Sequence, residues 1–320
     1  MTDPAKFIEF QVQIEKVKHL KRTGWLVRRV PNAETVAAHS WRMALMAIRK
    51  DLTPARADAD HIIKMCLLHD IGEAVIGDIV PEIHQTSARK ISDATKKTIE
   101  KEAVAHLATK YDFPELETFF DEYEGQTTPE AKVAKNLDKL DMLLQAYEYM
   151  TLYPNLEKLD EFMTFNEKSV DLPVFSPDLR EIKNRQENKG ASPNAFIDNQ
   201  LSAGKLKHQR HNPTGAHIDD YGTVASHRFG AAVMGLYLAD ELAQTGTDVM
   251  AAVRSIIDPD GSKAGPKERL AADELGLLED VLQAHAYTKI YPNEKGLKDY
   301  IEGAKSRITT PLFKRIVSEL

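Results

Sequence analysis

Residues 67–81, LLHDIGEAVIGDIVP, set a histidine and an aspartate side by side in an apolar run and follow them with Glu73 and Asp78. Two more ionisable residues have similar surroundings: His39 in AAHSWRM and Asp138 in AKNLDKLDMLLQA. Taken singly, His39, His69, Asp70 and Asp138 are each most simply a helix cap, a surface group or a satisfied core residue. Taken together, two imidazoles and two carboxylates buried near one another carry a heavy desolvation penalty unless something compensates them. A divalent cation does so. Their mixed nitrogen and oxygen donors suit a transition metal better than a calcium cage. Four protein ligands would leave an octahedral ion with positions for water and a substrate oxygen.

The elements that must carry these residues read as helices. Apolar residues recur at helical spacing at Phe7, Phe10, Ile14 and Val17, at Val36, Met43, Met46 and Ala47, at Ile62, Met65 and Cys66, and at Val133, Leu137, Leu140 and Leu144. Alternating strand patterns are almost absent, so the expected class is all-α, with the four residues on three separate helices. Helix starts are marked by cap-type residues opening SDATKKTIEKEAV and by Pro129 just inside TTPEAKVAKNL.

Composition limits the partners. The 320 residues are 42 % apolar and 28 % charged, enough for one large or two ordinary domains. The formal charge of −7 is spread along the chain, which argues against a nucleic-acid groove or an anionic membrane surface and for a small-molecule partner. The single cysteine, Cys66, lies in an apolar run and reads as a small buried hydrophobe. With no signal-peptide pattern at the N-terminus and no window apolar enough to span a bilayer, the expected location is cytoplasmic.

From Glu187 to Asp220 the helical pattern lapses into Gly, Pro, Asn and Ser, which predicts a linker or surface excursion over 187–220 between units at 1–186 and 221–320. The flanking units share blocks. TVAAHSWRMALM (35–46) aligns with TVASHRFGAAVM (223–234) at an offset of 188, setting His39 against His227; LQAYEYMTLYPNLEKL (144–159) aligns with LQAHAYTKIYPNEKGL (282–297) at 138. These blocks predict a duplicated unit whose second copy lacks 50 residues between them. His69 and Asp70 then fall on Ile257 and Asp258, and Asp138 falls on Gly276, so the second copy has lost the metal set and His227 is structural.

The pattern H…HD…D at His39, His69–Asp70 and Asp138 resembles that of the HD-domain metal-dependent phosphohydrolases. KRTGWLVRRVPNAETVAAHSWRMALMA, LLHDIGEAVIGDIVP and EAKVAKNLDKLDMLLQAYEY are further similar, in order, to segments of the HD-domain 5′-deoxynucleotidases. The resemblance spans roughly residues 10–180 and implies a helical bundle, one catalytic divalent ion (Mn, Co, Fe, Ni, Zn or Mg) and commonly a homodimer. It implies His39, His69, Asp70 and Asp138 as ligands, Glu73 for acid/base work and Asp78 for orienting water or the sugar. Arg22 and Trp25 would contact substrate, the guanidinium through its forked donors and the indole by stacking. Glu34 also fits the family pattern, either as a cap or as a substrate contact. The expected activity is removal of phosphate from (deoxy)nucleoside 5′-monophosphates. The alternatives are hydrolysis of another nucleotide or phosphate ester, such as a triphosphate, and nucleotide sensing without turnover. In place of a homodimer, the second copy can serve as an internal pseudo-subunit.

Overall fold

The computed structural model describes residues 2–87, 89–190 and 193–320. Among these the chain is all-α, its only β features being two isolated bridges, Lys21 with Thr35 and Arg210 with Thr223. The first half runs α1 (Pro4–His19), α2 (Thr23–Val27), α3 (Val36–Arg49), α4 (Ala59–Leu68), α5 (Glu73–Ile76), α6 (Asp93–Tyr111), α7 (Glu115–Gly125), α8 (Pro129–Leu152), α9 (Asp160–Asn166) and α10 (Ser176–Gln186). The second runs α11 (Ala195–Gly204), α12 (Val224–Tyr237), α13 (Ala239–Gln244), α14 (Val249–Ile257), α15 (Pro266–Ile290), α16 (Lys295–Lys305) and α17 (Pro311–Val317). No helix among the described residues is long and apolar enough to cross a membrane.

The expected helix starts are present. Ser92 accepts from the amide of Thr95 at 3.1 Å and Thr128 from that of Ala131 at 3.1 Å, each satisfying a donor that the first helical turn leaves unpaired. Helix α3 is buried from Val36 through Ala47, as a helix apolar around most of its circumference must be. It packs on α1, α4, α8 and α12 and so occupies the centre of the molecule.

The run LLHDIGE is not one continuous helix. Helix α4 ends at Leu68, and residues 69–72 turn tightly, with Ile71 N donating to Leu68 O and Glu73 N to Asp70 O, before α5 begins. Gly72 makes this break fit: a Cβ there would stand 2.8 Å from Val104 Cγ2 on α6. Gly72→Ala is therefore expected to destabilise the protein by about 1–3 kcal/mol, the usual range for overpacking, read as a lower urea midpoint at unchanged slope.

Segment 187–220 differs from the irregular excursion its composition suggested. It contains α11, and Lys207, just beyond that helix, is fully buried. Most of its Gly, Pro and Asn residues flank α11, with Asn199 inside it, so composition did not signal the helix. Between α3 and α8 lie four helices, whereas only α13 and α14 separate α12 from α15.

Candidate active site

Two helices and one turn bring four expected residues together at a cleft of about 270 Å³, with His39 buried behind the lining that His69, Asp70 and Asp138 help to form. His39 projects from α3, His69 and Asp70 from the α4–α5 turn, and Asp138 from α8. His39 Nδ1 lies 2.6 Å from Asp141 Oδ2, which holds that nitrogen's proton and turns Nε2 toward Asp138 Oδ1, 3.4 Å away. His69 Nδ1 is 3.0 Å from the carbonyl of Cys66, and because a carbonyl only accepts, that nitrogen donates and Nε2 keeps its lone pair. His69 Nε2 faces Asp70 Oδ2 at 3.1 Å, and the two rings stand 6.0 Å apart. Donor atoms of His39, His69 and Asp70 all lie within 4.8 Å of one another.

One atom tests whether a cation fits. His39 Nε2 is buried and without a hydrogen-bond partner, although its ring is otherwise fully held. Buried polar atoms are rarely left so. An imidazole nitrogen facing a second one and two carboxylates is a donor set that fits a cation.

The surroundings tune the carboxylates in opposite directions. Burial works to raise the Asp138 carboxyl, but Lys139, whose ammonium is 2.9 Å from Oδ2, and His39 hold it well below the usual carboxylate range. Glu73 goes the other way: burial, then the charges of Asp70 and Asp78, push its carboxyl well above its ordinary value, and its Oε2 is buried without a partner. Cys66 is fully buried beneath His69, and burial pushes its thiol up, away from reactivity.

The remaining expected residues line the same cleft. Arg22 reaches Asp70 Oδ2 at 3.2 Å. Asp78 Oδ2 accepts from the backbone amide of Thr23 at 2.6 Å, and its carbonyl accepts from the Thr23 hydroxyl, so it fastens the α5 turn to the segment carrying Arg22 and Trp25. Trp25 lies against Phe162 with ring centres 4.2 Å apart and donates its indole N–H to Glu34 Oε1 at 2.9 Å. Glu34 is thus neither a helix cap nor on the cleft wall: it is buried behind Trp25, and its other oxygen pairs with Lys207.

Sequence reasoning missed several residues. Tyr123 donates to Asp138 Oδ2 at 3.0 Å and packs against the His69 ring. Asp141 holds His39 and is itself gripped by Arg42 and Lys207; burial opposes its charge, but those two cations keep its carboxyl far below the usual range. Its spacing of three from Asp138 in an apolar helix was a usable signal. Lys207 offered none. In the second half, His227 Nδ1 meets Glu279 Oε2 at 2.5 Å, a Cβ at Gly276 would stand 3.5 Å from His227 Nε2, and Asp258 is spent on a forked ion pair with Arg49.

Residues 14–174 match the model of the HD domain family. The 5′-deoxynucleotidase HDDC2 of Danio rerio is 34 % identical over 163 residues, which cover 50 % of this chain and 78 % of that protein. The chain belongs to the HD-domain 5′-deoxynucleotidase family. The same-named protein of Dictyostelium discoideum is 35 % identical over 183 residues, 53 % of this chain and 93 % of its own length, and that of Homo sapiens is 35 % identical over 160 residues, 48 % and 74 %. The matched HD domain contains all of His39, His69, Asp70, Glu73, Asp78 and Asp138 together with Arg22 and Trp25, while Lys207 lies outside it.

Proposed function

We propose that the chain is a metal-dependent phosphohydrolase that releases phosphate from (deoxy)nucleoside 5′-monophosphates, with His39, His69, Asp70 and Asp138 holding one divalent ion. The orphaned His39 Nε2, aimed at Asp138 and the His69–Asp70 pair on the cleft floor, carries this reading. Charge balance supports it. Five cationic side chains line the cleft (Arg22, Arg28, Lys96, Lys135, Lys139) against six carboxyl groups (Asp70, Glu73, Asp78, Glu100, Glu124, Asp138), one of which, Glu73, is pushed toward its neutral form, so the side chains alone offer a phosphate dianion no net positive charge. One divalent ion makes the cleft positive. Inorganic phosphate is accordingly expected to bind the metal-loaded protein measurably and the chelator-treated protein not at all, by calorimetric titration.

When bound, the ion supplies Lewis-acid neutralisation of phosphoryl charge and lowers the pKa of a coordinated water. Arg22, held by Asp70 and by the Asp78-anchored turn, faces the phosphate with its remaining donors. As water oxygen bonds to phosphorus and the bond to the 5′ oxygen breaks, the leaving alkoxide takes a proton. Glu73, whose carboxyl is pushed up by burial and then by Asp70 and Asp78, would give it. Trp25 and Phe162 offer apolar faces to the nucleoside.

The test is phosphate release from deoxy- and ribonucleoside mono- and triphosphates by chelator-treated protein with Mn, Co, Mg or Zn restored. Metal-dependent release from deoxynucleoside monophosphates supports the reading. Release only from triphosphates moves the substrate, and tight nucleotide binding without any release replaces catalysis by sensing.

A further inference from the structure

The two halves exchange parts. KVKHLK at 16–21 recurs as KLKHQR at 205–210, an offset of 189, and each copy leads into the same device. Lys21 bridges Thr35 and Arg210 bridges Thr223, and each threonine caps the helix bearing His39 or His227. The side chains cross over. Lys18, at the end of α1, pairs with Glu279 and reaches Gln283 Oε1 at 3.1 Å on α15 of the second half. Lys207, just beyond α11, lies 3.1 Å from both carboxylate oxygens of Asp141 and 3.1 Å from Gln145 Oε1 on α8 of the first half. The neighbouring histidines follow: His19 sits 6.2 Å from the Tyr287 ring and His208 6.0 Å from that of Tyr149. Each tyrosine hydroxyl in turn donates to a carbonyl ahead of its own half's histidine helix, Asp220 O and Asn32 O. Matched lysines, histidines and tyrosines obey one exchange, with α3 packed on α12 between them.

We infer that the C-terminal half, beginning near α11, is an internal subunit that completes the metal site by supplying Lys207 as a positioning residue. Lys207 Nζ contacts Asp141 Oδ2, the oxygen that holds His39 Nδ1, and pairs with Glu34 Oε2 at 2.5 Å, whose other oxygen holds Trp25. One ammonium therefore fixes a metal-facing imidazole and a cleft-lining indole. All three charged side chains, Lys207, Glu34 and Asp141, are fully buried, so removing the cation leaves two carboxylates to share Arg42 alone and releases the His39 ring. The reciprocal contact lacks a counterpart of Asp138, because Gly276 stands in its place, although His211, His227 and Asp280 bring donor atoms within 4.8 Å of one another there. Lys18 is thus a control for the His39 site once that second donor cluster is removed.

This inference rests on the metal-site reading but not on the identity of the substrate. The experiment uses the full chain and compares Lys207→Met, Lys18→Met, Asp141→Asn and the Lys207→Met/Asp141→Asn double variant by Co²⁺ or Zn²⁺ competition against a chelator, with thermal melting alongside. Lys207→Met is expected to weaken metal affinity by about ten- to hundredfold, the usual effect of losing an outer partner. The double variant should be no weaker than its worse parent, since Lys207 acts through Asp141. With the second donor cluster removed by His211→Ala in every protein compared, Lys18→Met should lower the melting temperature and leave affinity at the His39 site unchanged. Wild-type affinity in folded Lys207→Met, additive losses in the double variant, or equal losses in Lys18→Met would each overturn the inference. Should Lys207→Met not fold, the charge-balanced pair Lys207→Gln/Glu34→Gln is measured in its place, with the same expected loss. Wild-type protein that binds the ion but releases no phosphate discards the substrate and leaves this result standing.

Discussion

Asp70→Ala is expected to leave less than about 1 % of the parent phosphate release, beyond the ten- to hundredfold that removal of an outer partner costs a metal site. The carboxylate has two tasks in the geometry. It faces His69 Nε2 at 3.1 Å on the side where the donor atoms converge, and it anchors Arg22 at 3.2 Å. On the proposed reading its loss removes a ligand and frees the guanidinium that would meet phosphate. Metal content and rate should fall together, with the melting temperature of the chelator-treated protein little changed because Asp70 is partly exposed. An Asp70→Ala protein that keeps both its ion and its rate would remove Asp70 from the site.

Glu73→Gln is expected to slow turnover by about 10²- to 10⁴-fold, the range for losing a positioned proton donor. The same substitution should make the metal-free protein more stable at neutral pH. Burial and the nearby Asp70 and Asp78 raise the folded-state pKa of Glu73, so this carboxyl favours the folded state below its unfolded pKa of about 4.3 and loses that contribution as pH rises toward the folded value. The amide carries no such liability. Urea midpoints of wild type and Glu73→Gln should therefore agree below about pH 4 and separate above it, in favour of the variant. Gain of stability with loss of rate is the signature of a group held strained for function. A surface glutamate would show neither.

Much of the site was legible because its parts are local. His69, Asp70 and Glu73 fall within five residues, Asp78 follows at the next turn, and His39 and Asp138 each interrupt an apolar helical face where a charge needs a reason. The helices were legible for the same cause, since periodicity and caps are properties of neighbouring residues. What escaped depends on contacts distant in sequence. Nothing near Glu34 reveals that its carboxylate lies between Trp25 and a lysine 173 residues away. Lys207 was hidden by composition, because the Gly, Pro and Asn around it suggested a linker. Asp78 was expected only to face water or sugar, and its grip on the Thr23 amide became visible once 55 residues of chain had folded back.

The crossed lysines also set an order of events as the chain is made. Lys18 meets its partners 261 and 265 residues later, and the pocket that Asp141 and Glu34 build stays open until residue 207 has arrived. During synthesis the N-terminal half emerges first with α1 lacking the surface it will cover and with Glu34 and Asp141 lacking the lysine that joins them. Contacts of such long span close late and slowly. A nascent chain halted before α11 would therefore hold a recognisable helical bundle with an unfinished floor, and competence to hold its ion would come only when residue 207 docks.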